Sequence, residues 1–253
     1  MFLNNAWYVG AWGTEVGRQV PMRRKLLNEP LVFYRSENGS PVVLKDKCAH
    51  RHAPLSEGRI IGNNIECPYH GLTYDPSGNC VRIPGQAASP PGCFVKSYPA
   101  IERYKWIWVW MGDPKLADPK LIEDFYWMDD PNWRAKGELF HLKANYQLLI
   151  ENLLELSHLS YVHRNTLGTE AVAEVQMKHE RGEQDVTLTR WVMDSPVSNM
   201  FRQIGGFKEG EHVDRWQMVT WTPPAFVKLD VGAARAGTGA IDGDRSQGFG
   251  YRN

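Results

Sequence analysis

Four residues in one short stretch have the right types and spacing to bind metal. Cys48 and His50 form C-x-H, Cys67 and His70 form C-x-x-H, and 16 residues separate the two motifs. Each motif brings one thiolate and one imidazole to a single turn. Two such turns closing on each other gather four soft or borderline ligands in one small volume, which a metal centre needs and a packed core does not. Pro68 and Gly71 supply the turn chemistry such loops demand.

The order of the ligands narrows the metal. A zinc finger of the common type groups Cys with Cys and His with His, whereas here each turn carries one of each. That interleaving suits a [2Fe–2S] cluster in which both Cys bind one iron and both His the other. Neutral imidazoles in place of two thiolates remove negative charge, so the potential rises above that of an all-thiolate ferredoxin. A structural zinc site, or two unrelated Cys/His pairs, are the alternatives. At these residues the chain resembles the Rieske iron–sulfur motif, C-x-H followed by C-x-x-H.

A second group lies downstream. Leu148, Leu149, Leu153, Leu156 and Leu159 recur near helical spacing, which predicts a helix over 147–162. On it Asn152, Glu155 and His158 step by three along one ridge, and Glu151, Glu155 and His158 share a face. His163, five residues beyond His158, is turned away in a straight helix. Both imidazoles reach one ion only if the helix ends, bends or bulges between them, which Ser157 and Ser160 could assist. Taken alone, two His and two Glu also describe a solvated helix face.

Taken together, the two constellations resemble the oxygenase (α) subunit of Rieske non-haem iron oxygenases. The resemblance implies that Cys48, His50, Cys67 and His70 hold a Rieske [2Fe–2S] cluster. It implies that His158 and His163, with one later carboxylate, hold mononuclear Fe(II), which leaves adjacent positions open for O2. It also implies that Asn152 and Glu155 are catalytic, Glu155 bridging the cluster of one subunit to the iron of its neighbour in a homotrimer. The family usually has Asp at that bridge, and Glu adds a methylene.

Composition sets the frame around these residues. The 253 residues suit one large domain or two modest ones. Basic and acidic residues balance at 29 each with no basic stripe, which argues against nucleic acid as a partner. No apolar run reaches membrane-spanning length, so a soluble cytoplasmic protein with no membrane partner is expected. Of the four Cys, Cys80 and Cys93 are left over and are expected as small, half-buried thiols.

Residues 1–113 read as an all-β domain: short strands at 6–12, 24–36 and 40–45, tight turns at 60–66 and 73–79, a broken Pro/Gly loop at 84–91, and an aromatic strand at 106–110. Residues 114–253 read as an α+β catalytic domain. A strand is expected at 140–146, then the helix, then strands at 175–193, 203–221 and from Phe226, in a helix-grip-like antiparallel sheet. Residues 235–253 read as loop or tail. The fold class is thus α+β, with the second domain incomplete.

Further stretches narrow the branch. Asn5 to Val9, His52 to Ser56, Pro84 to Gln86, Trp106 to Asp113, Val213 to Gln217 and Thr222 to Pro224 resemble vanillate O-demethylase oxygenase subunits and dicamba-type demethylases. That implies a monooxygenase that hydroxylates the methyl carbon of an aryl methyl ether such as vanillate, the product collapsing to a phenol and formaldehyde. Other methoxy- or methyl-substituted aromatic acids are the alternative substrates. Electrons would come from NAD(P)H through a separate flavin and iron–sulfur reductase, since the chain has no G-x-G-x-x-G of its own. Arg190, Arg202 and Arg215 are candidates for the substrate carboxylate by charge alone. Family members continue beyond residue 253, so the resemblance implies a truncated domain without the third iron ligand. An electron-transfer-only Rieske module, or an inactive fragment, is the rival reading.

Overall fold

The computed structural model describes residues 2–253. It divides between Lys136 and Gly137 into two units. In the first, strands follow one another as β1 (Ala6–Trp12), β2 (Met22–Leu26), β3 (Glu29–Arg35), β4 (Pro41–Lys45), β5 (Arg59–Ile61), β6 (Asn64–Glu66), β7 (Thr73–Tyr74), β8 (Cys80–Arg82), β9 (Ser97–Tyr98), β10 (Ala100–Arg103) and β11 (Trp106–Met111). They form antiparallel sheets ordered β1-β11-β10, β2-β3-β4-β9 and β5-β6-β7-β8.

β3 is the hinge of this unit's packing. Its residues alternate between two cores, as the two-residue period of a strand requires. Leu31 and Phe33 face a core shared with Tyr8, Ile107 and Val109. Val32 and Tyr34 face a second core that contains Cys48, Cys67, Leu55, Ile65 and Tyr74. A strand buried on both faces reads as a continuous apolar run, which is how Leu31-Val-Phe-Tyr34 reads. The single strand expected over 24–36 is a hairpin. Leu27 and Asn28 both take positive φ, 48° and 67°, the pairing a two-residue turn between twisted strands favours.

The domain boundary expected at 113 falls later. Residues 114–136 pack on the first unit because they bring it apolar cover. Ile122, Phe125 and Met128 are buried. The Phe125 ring lies 5.1 Å from that of Trp106 and 6.2 Å from that of Trp108. The Trp7 indole donates to the Asp118 carbonyl at 2.8 Å, and the Tyr104 hydroxyl to Asp124 at 2.7 Å.

The second unit runs α1 (Tyr146–Leu154), α2 (Leu159–Val162), α3 (Glu170–Glu174), β12 (Lys178–Arg181), β13 (Val186–Pro196), α4 (Asn199–Gly205), β14 (His212–Thr222), β15 (Phe226–Arg235) and β16 (Gly248–Arg252). The strands form one antiparallel sheet in sequence order. Several expectations are corrected here. Residues 140–146 are not a strand; a helix begins at Tyr146, with Asn145 Oδ1 accepting the Gln147 N–H at 3.0 Å as its cap. Residues 203–205, expected to begin a strand, instead end a helix over Asn199–Gly205 that Ser198 caps and whose Phe201 is driven into the core. Residues 248–252 are not a tail but pair with β15 from Ala234↔Gly248 to Asp230↔Arg252. Glycine there lets the added strand pass closely: a Cβ on Gly248 would lie 2.5 Å from the Ala233 carbonyl oxygen. No helix among the described residues is long and apolar enough to cross a membrane.

One sheet face is covered by the helices. Leu156, Leu159 and Val172 pack with Leu188, Val192 and Val219. Arg190, only 3% exposed, pins this cover. Its Nη1 donates to the Val172 carbonyl at 2.7 Å, its Nη2 to Leu156 O at 3.3 Å, and its Nε to Gln217 Oε1 at 2.8 Å. Arg190→Met removes all three donors and strands two backbone carbonyls and the Gln217 amide oxygen. It is expected to cost on the order of 3 kcal/mol, read as a lower urea midpoint at unchanged slope.

In the first unit Tyr98 donates to Glu29 Oε2 at 2.5 Å across β4. That hydroxyl, ahead of Lys45 and against the opposing effect of burial, holds the Glu29 carboxyl below its ordinary range. The folded-state value lies below the unfolded one, so this contribution is fully present above about pH 4.3 and is lost as pH falls through the folded value. Tyr98→Phe is expected to lower stability at neutral pH and to flatten its acid-side decline, a difference visible in melting curves taken down to about pH 3.

Candidate metal centres and active-site cavity

The loop after β4 and the loop between β6 and β7 each close on themselves. In the first, the Cys48 N–H donates to Ala53 O at 2.9 Å and the His52 N–H to Cys48 O at 3.0 Å. In the second, the Cys67 N–H donates to Leu72 O at 2.8 Å and the Gly71 N–H to Cys67 O at 3.1 Å. Gly71 turns the chain at φ 72°, the left-handed region where glycine carries no side-chain clash. Cys48 and Cys67 are buried, 1% and 2% exposed, while His50 and His70 are exposed. The two imidazoles approach to 4.6 Å between ring centroids. Thiols thus lie inward and imidazoles outward.

Burial, with the Cys48 thiol beside it, pushes the Cys67 thiol up. A buried pair of neutral thiols gains from a cation that takes both protons away. Tyr74, which sequence reasoning did not single out, completes this environment. Its hydroxyl oxygen accepts the Ala49 N–H at 3.1 Å and lies 3.2 Å from Cys48 Sγ, leaving its own proton free for the sulfur. Of the two cysteines expected as half-buried thiols, Cys93 is half-buried and Cys80 fully buried, and both are free.

The downstream histidines come together by a different route from the one expected. The helix stops at Glu155, before His158, rather than between the two histidines. Glu155 is extended at φ −95°, ψ 99°, and its carboxylate accepts the Ser157 N–H at 2.7 Å. That side-chain bond competes with continuing the helix. The common face expected for Glu151, Glu155 and His158 is therefore broken. His158 and His163 instead flank the single turn of α2, and their rings lie 5.4 Å apart. Glu155 Oε2 lies 3.2 Å from His158 Nδ1. The Ser157 hydrogen bonds, then His158, hold the Glu155 carboxyl below its ordinary range.

The turn after His163 is tied down by its own carbonyl, which accepts N–H groups from Thr166, Leu167 and Gly168 at 2.9–3.0 Å. Gly168 passes so close to α2 that a Cβ there would lie 2.4 Å from Leu159 O. Among the described residues no three His, Cys, Asp or Glu side chains gather as a site for one ion, and the carboxylate that does lie beside the histidine pair is that of Glu155, on His158 Nδ1. Asn152 lines the same cavity as both histidines.

That cavity, about 240 Å³, has Leu153, Leu156, Leu159, Met200, Val219 and Val231 among its walls. Its floor comes from β14, where alternate residues Val213, Arg215, Gln217 and Val219 share one face. Arg215 is 3% exposed and Gln217 2%. Arg215 Nη1 donates to Leu167 O at 2.6 Å, while its Nε has no acceptor. Burial, then the neighbouring Arg190 charge, holds the Arg215 guanidinium down to about 10. The signal for this floor was present in Val213-Asp-Arg-Trp-Gln-Met-Val219, two polar residues in phase with two valines. Of the other arginines considered for charge, Arg190 is the clamp described above, and Arg202 pairs with Glu209 at 3.6 Å.

Residues 6–99 match the Rieske [2Fe-2S] domain, and residues 142–251 the vanillate O-demethylase oxygenase C-terminal domain. The toluene-4-sulfonate monooxygenase system iron-sulfur subunit of Comamonas testosteroni is 46% identical over 97% of this chain and 71% of its own length. A vanillate O-demethylase oxygenase subunit from a Pseudomonas species is 39% identical over 96% of this chain and 69% of its own length. Among solved structures, dicamba monooxygenase bound to 3,6-dichlorosalicylic acid superposes with a TM-score of 0.91 at 34% identity, covering 100% of this chain and 73% of that one. The same enzyme with non-heme iron and dicamba gives a TM-score of 0.81 at 31% identity over 99% and 71%. With its cysteine and histidine turns, its paired histidines and these relatives, the chain belongs to the family of Rieske non-haem iron oxygenase components whose catalytic half is of the vanillate O-demethylase type.

Proposed function

We propose that this chain oxidises the methyl or methoxy carbon of a small aromatic acid as the oxygenase component of a multi-component monooxygenase. The observation that carries the reading is the pair His158 and His163, 5.4 Å apart, on the wall of an apolar cavity of aromatic-ring size. Vanillate is one substrate of this class, and toluene-4-sulfonate is favoured by the 46% identity to the Comamonas subunit.

The Cys48, His50, Cys67 and His70 donor set fits the [2Fe–2S] cluster, and the histidine pair supplies two of the three ligands expected for the mononuclear iron. Cys48 and Cys67 would bind one iron of the [2Fe–2S] cluster, and His50 and His70 the other, in keeping with thiols inside and imidazoles outside. His158 and His163 would hold the mononuclear iron. When bound, the cluster supplies single electrons and the ferrous ion supplies reductive activation of dioxygen. The chain's own residues do the rest. The Glu155 carboxylate, 3.2 Å from His158 Nδ1, would accept a hydrogen bond from an Nδ1–H and so fix the ring's orientation and tautomer. It is also the proposed bridge to the cluster of a neighbouring subunit in a homotrimer. Asn152 offers a polar group beside the histidines. The leucine and valine walls exclude water and hold an aromatic ring against the iron-binding edge. Electrons would arrive from a separate flavin and iron–sulfur reductase that uses NAD(P)H.

Turnover with such a reductase and O2 tests the reading directly: formaldehyde and a phenol from vanillate, or a hydroxymethyl product from toluene-4-sulfonate. Iron analysis separates the rival of a carrier without catalysis. About three irons per chain are expected, whereas about two with a reducible cluster signal and no product would identify an electron-transfer module. Tyr74→Phe should lower the reduction potential of the assembled cluster, since a hydrogen bond to a ligating sulfur stabilises the reduced, more negative state. An unchanged midpoint in a redox titration would remove Tyr74 from that role.

A further inference from the structure

The cavity beside His158 and His163 has an electrostatic floor that its apolar walls do not explain. Arg215 and Gln217 sit on the same face of β14, both almost wholly buried. Among the described residues no Asp or Glu lines the cavity, and no carboxylate pairs with Arg215. One guanidinium nitrogen is spent on the Leu167 carbonyl, and Nε has no acceptor. Gln217 is fixed in one orientation, because Arg190 Nε donates to its amide oxygen at 2.8 Å. The oxygen is thereby occupied, and the NH2 end makes no hydrogen bond within the protein. The floor thus presents the remaining Arg215 N–H groups and the Gln217 NH2, with the Gln217 oxygen already engaged by Arg190.

A buried cation without a counter-charge is costly unless a ligand completes it. We propose that Arg215 and Gln217 read the anionic head of the substrate, a carboxylate or sulfonate on the aromatic ring, with Arg190 as the positioning residue that turns Gln217 into a donor. This rests on the oxygenase reading only for the identity of the ring-bearing ligand. Arg215 supplies charge and a planar donor edge suited to two oxygens, and Gln217 a neutral donor beside it. A neutral aromatic of the same shape would leave those donors unpaired, so the site discriminates by charge. A purely structural Arg215, resting over the Phe201 ring at 5.1 Å and clamping Leu167, predicts no such discrimination.

Binding to the full chain, measured calorimetrically, tests this without turnover. The probes are vanillate against vanillamide, and toluene-4-sulfonate against toluene-4-sulfonamide, each pair closely matched in shape and differing in charge. The wild type is expected to prefer the anion of at least one pair, by roughly tenfold to a hundredfold. Arg215→Gln should remove that preference, chiefly by weakening the anion, and Arg215→Lys should restore part of it. The pair with the larger preference tells carboxylate from sulfonate. Equal affinity of the wild type for both members of both pairs overturns the proposal. So does an Arg215→Gln protein that melts normally and keeps its preference. Should Arg215→Gln fail to fold, the wild-type comparison still decides, and Gln217→Leu, expected to weaken only the anions, gives a second variant. Arg215-dependent anion binding without oxidation would count against the oxygenase reading and leave this one standing. Oxidation of an aromatic without charge preference would do the reverse.

Discussion

Burying a guanidinium group is costly unless its donors find acceptors, and Arg190 meets that requirement by tying three elements of the second unit together. Arg190 rises from the middle of β13 and meets the carbonyls of Leu156 and Val172, which belong to the segments between α1 and α2 and in α3. The histidine-bearing turn is thus held to the sheet by polar bonds as well as by Leu156 and Leu159. The same arginine orients Gln217. One buried cation therefore sets both where His158 and His163 stand and which way the cavity's polar floor faces.

The first unit solves a related problem with opposite polarity. Its thiols are drawn into an apolar core that begins on one face of β3, and its imidazoles are left outside. Two closed turns make this possible, each using backbone hydrogen bonds that leave the side chains free. A metal group bound by these thiols and imidazoles would have its sulfur side toward a low-dielectric interior and its nitrogen side toward the surface. That suits a group that must stabilise a changed charge and still exchange electrons with a partner.

Where sequence reasoning and structure part, the reasons are local. The leucine periodicity over 147–162 is that of one helix, yet Glu155 can bond the Ser157 N–H, and that bond ends the first helix a residue after Leu154. A glutamate two residues ahead of a serine carries no helix-stop signal of the kind that Gly or Pro provides. Residues 248–252 look too glycine-rich for a strand, but a β15 edge with unpaired backbone groups recruits them, and small residues let them approach. Residues 114–136 read as the start of a second domain because Pro and Asp punctuate them; the aromatic surface around Trp106 and Trp108 decides otherwise.

The amino-acid sequence by itself determined the two cysteine–histidine turns, the downstream pair of histidines and the succession of an all-β half by an α+β half. Short-range spacing encodes these, since two or three residues suffice to place a thiol and an imidazole on one turn. Only the tertiary structure decided that Arg215 and Gln217 floor a cavity, that Tyr74 touches Cys48 and that Arg190 joins sheet to helices. Those relations depend on strand register and on which face a residue takes across a sheet. A side chain's partner 20 or more residues away is set by packing the whole unit, which local pattern does not contain.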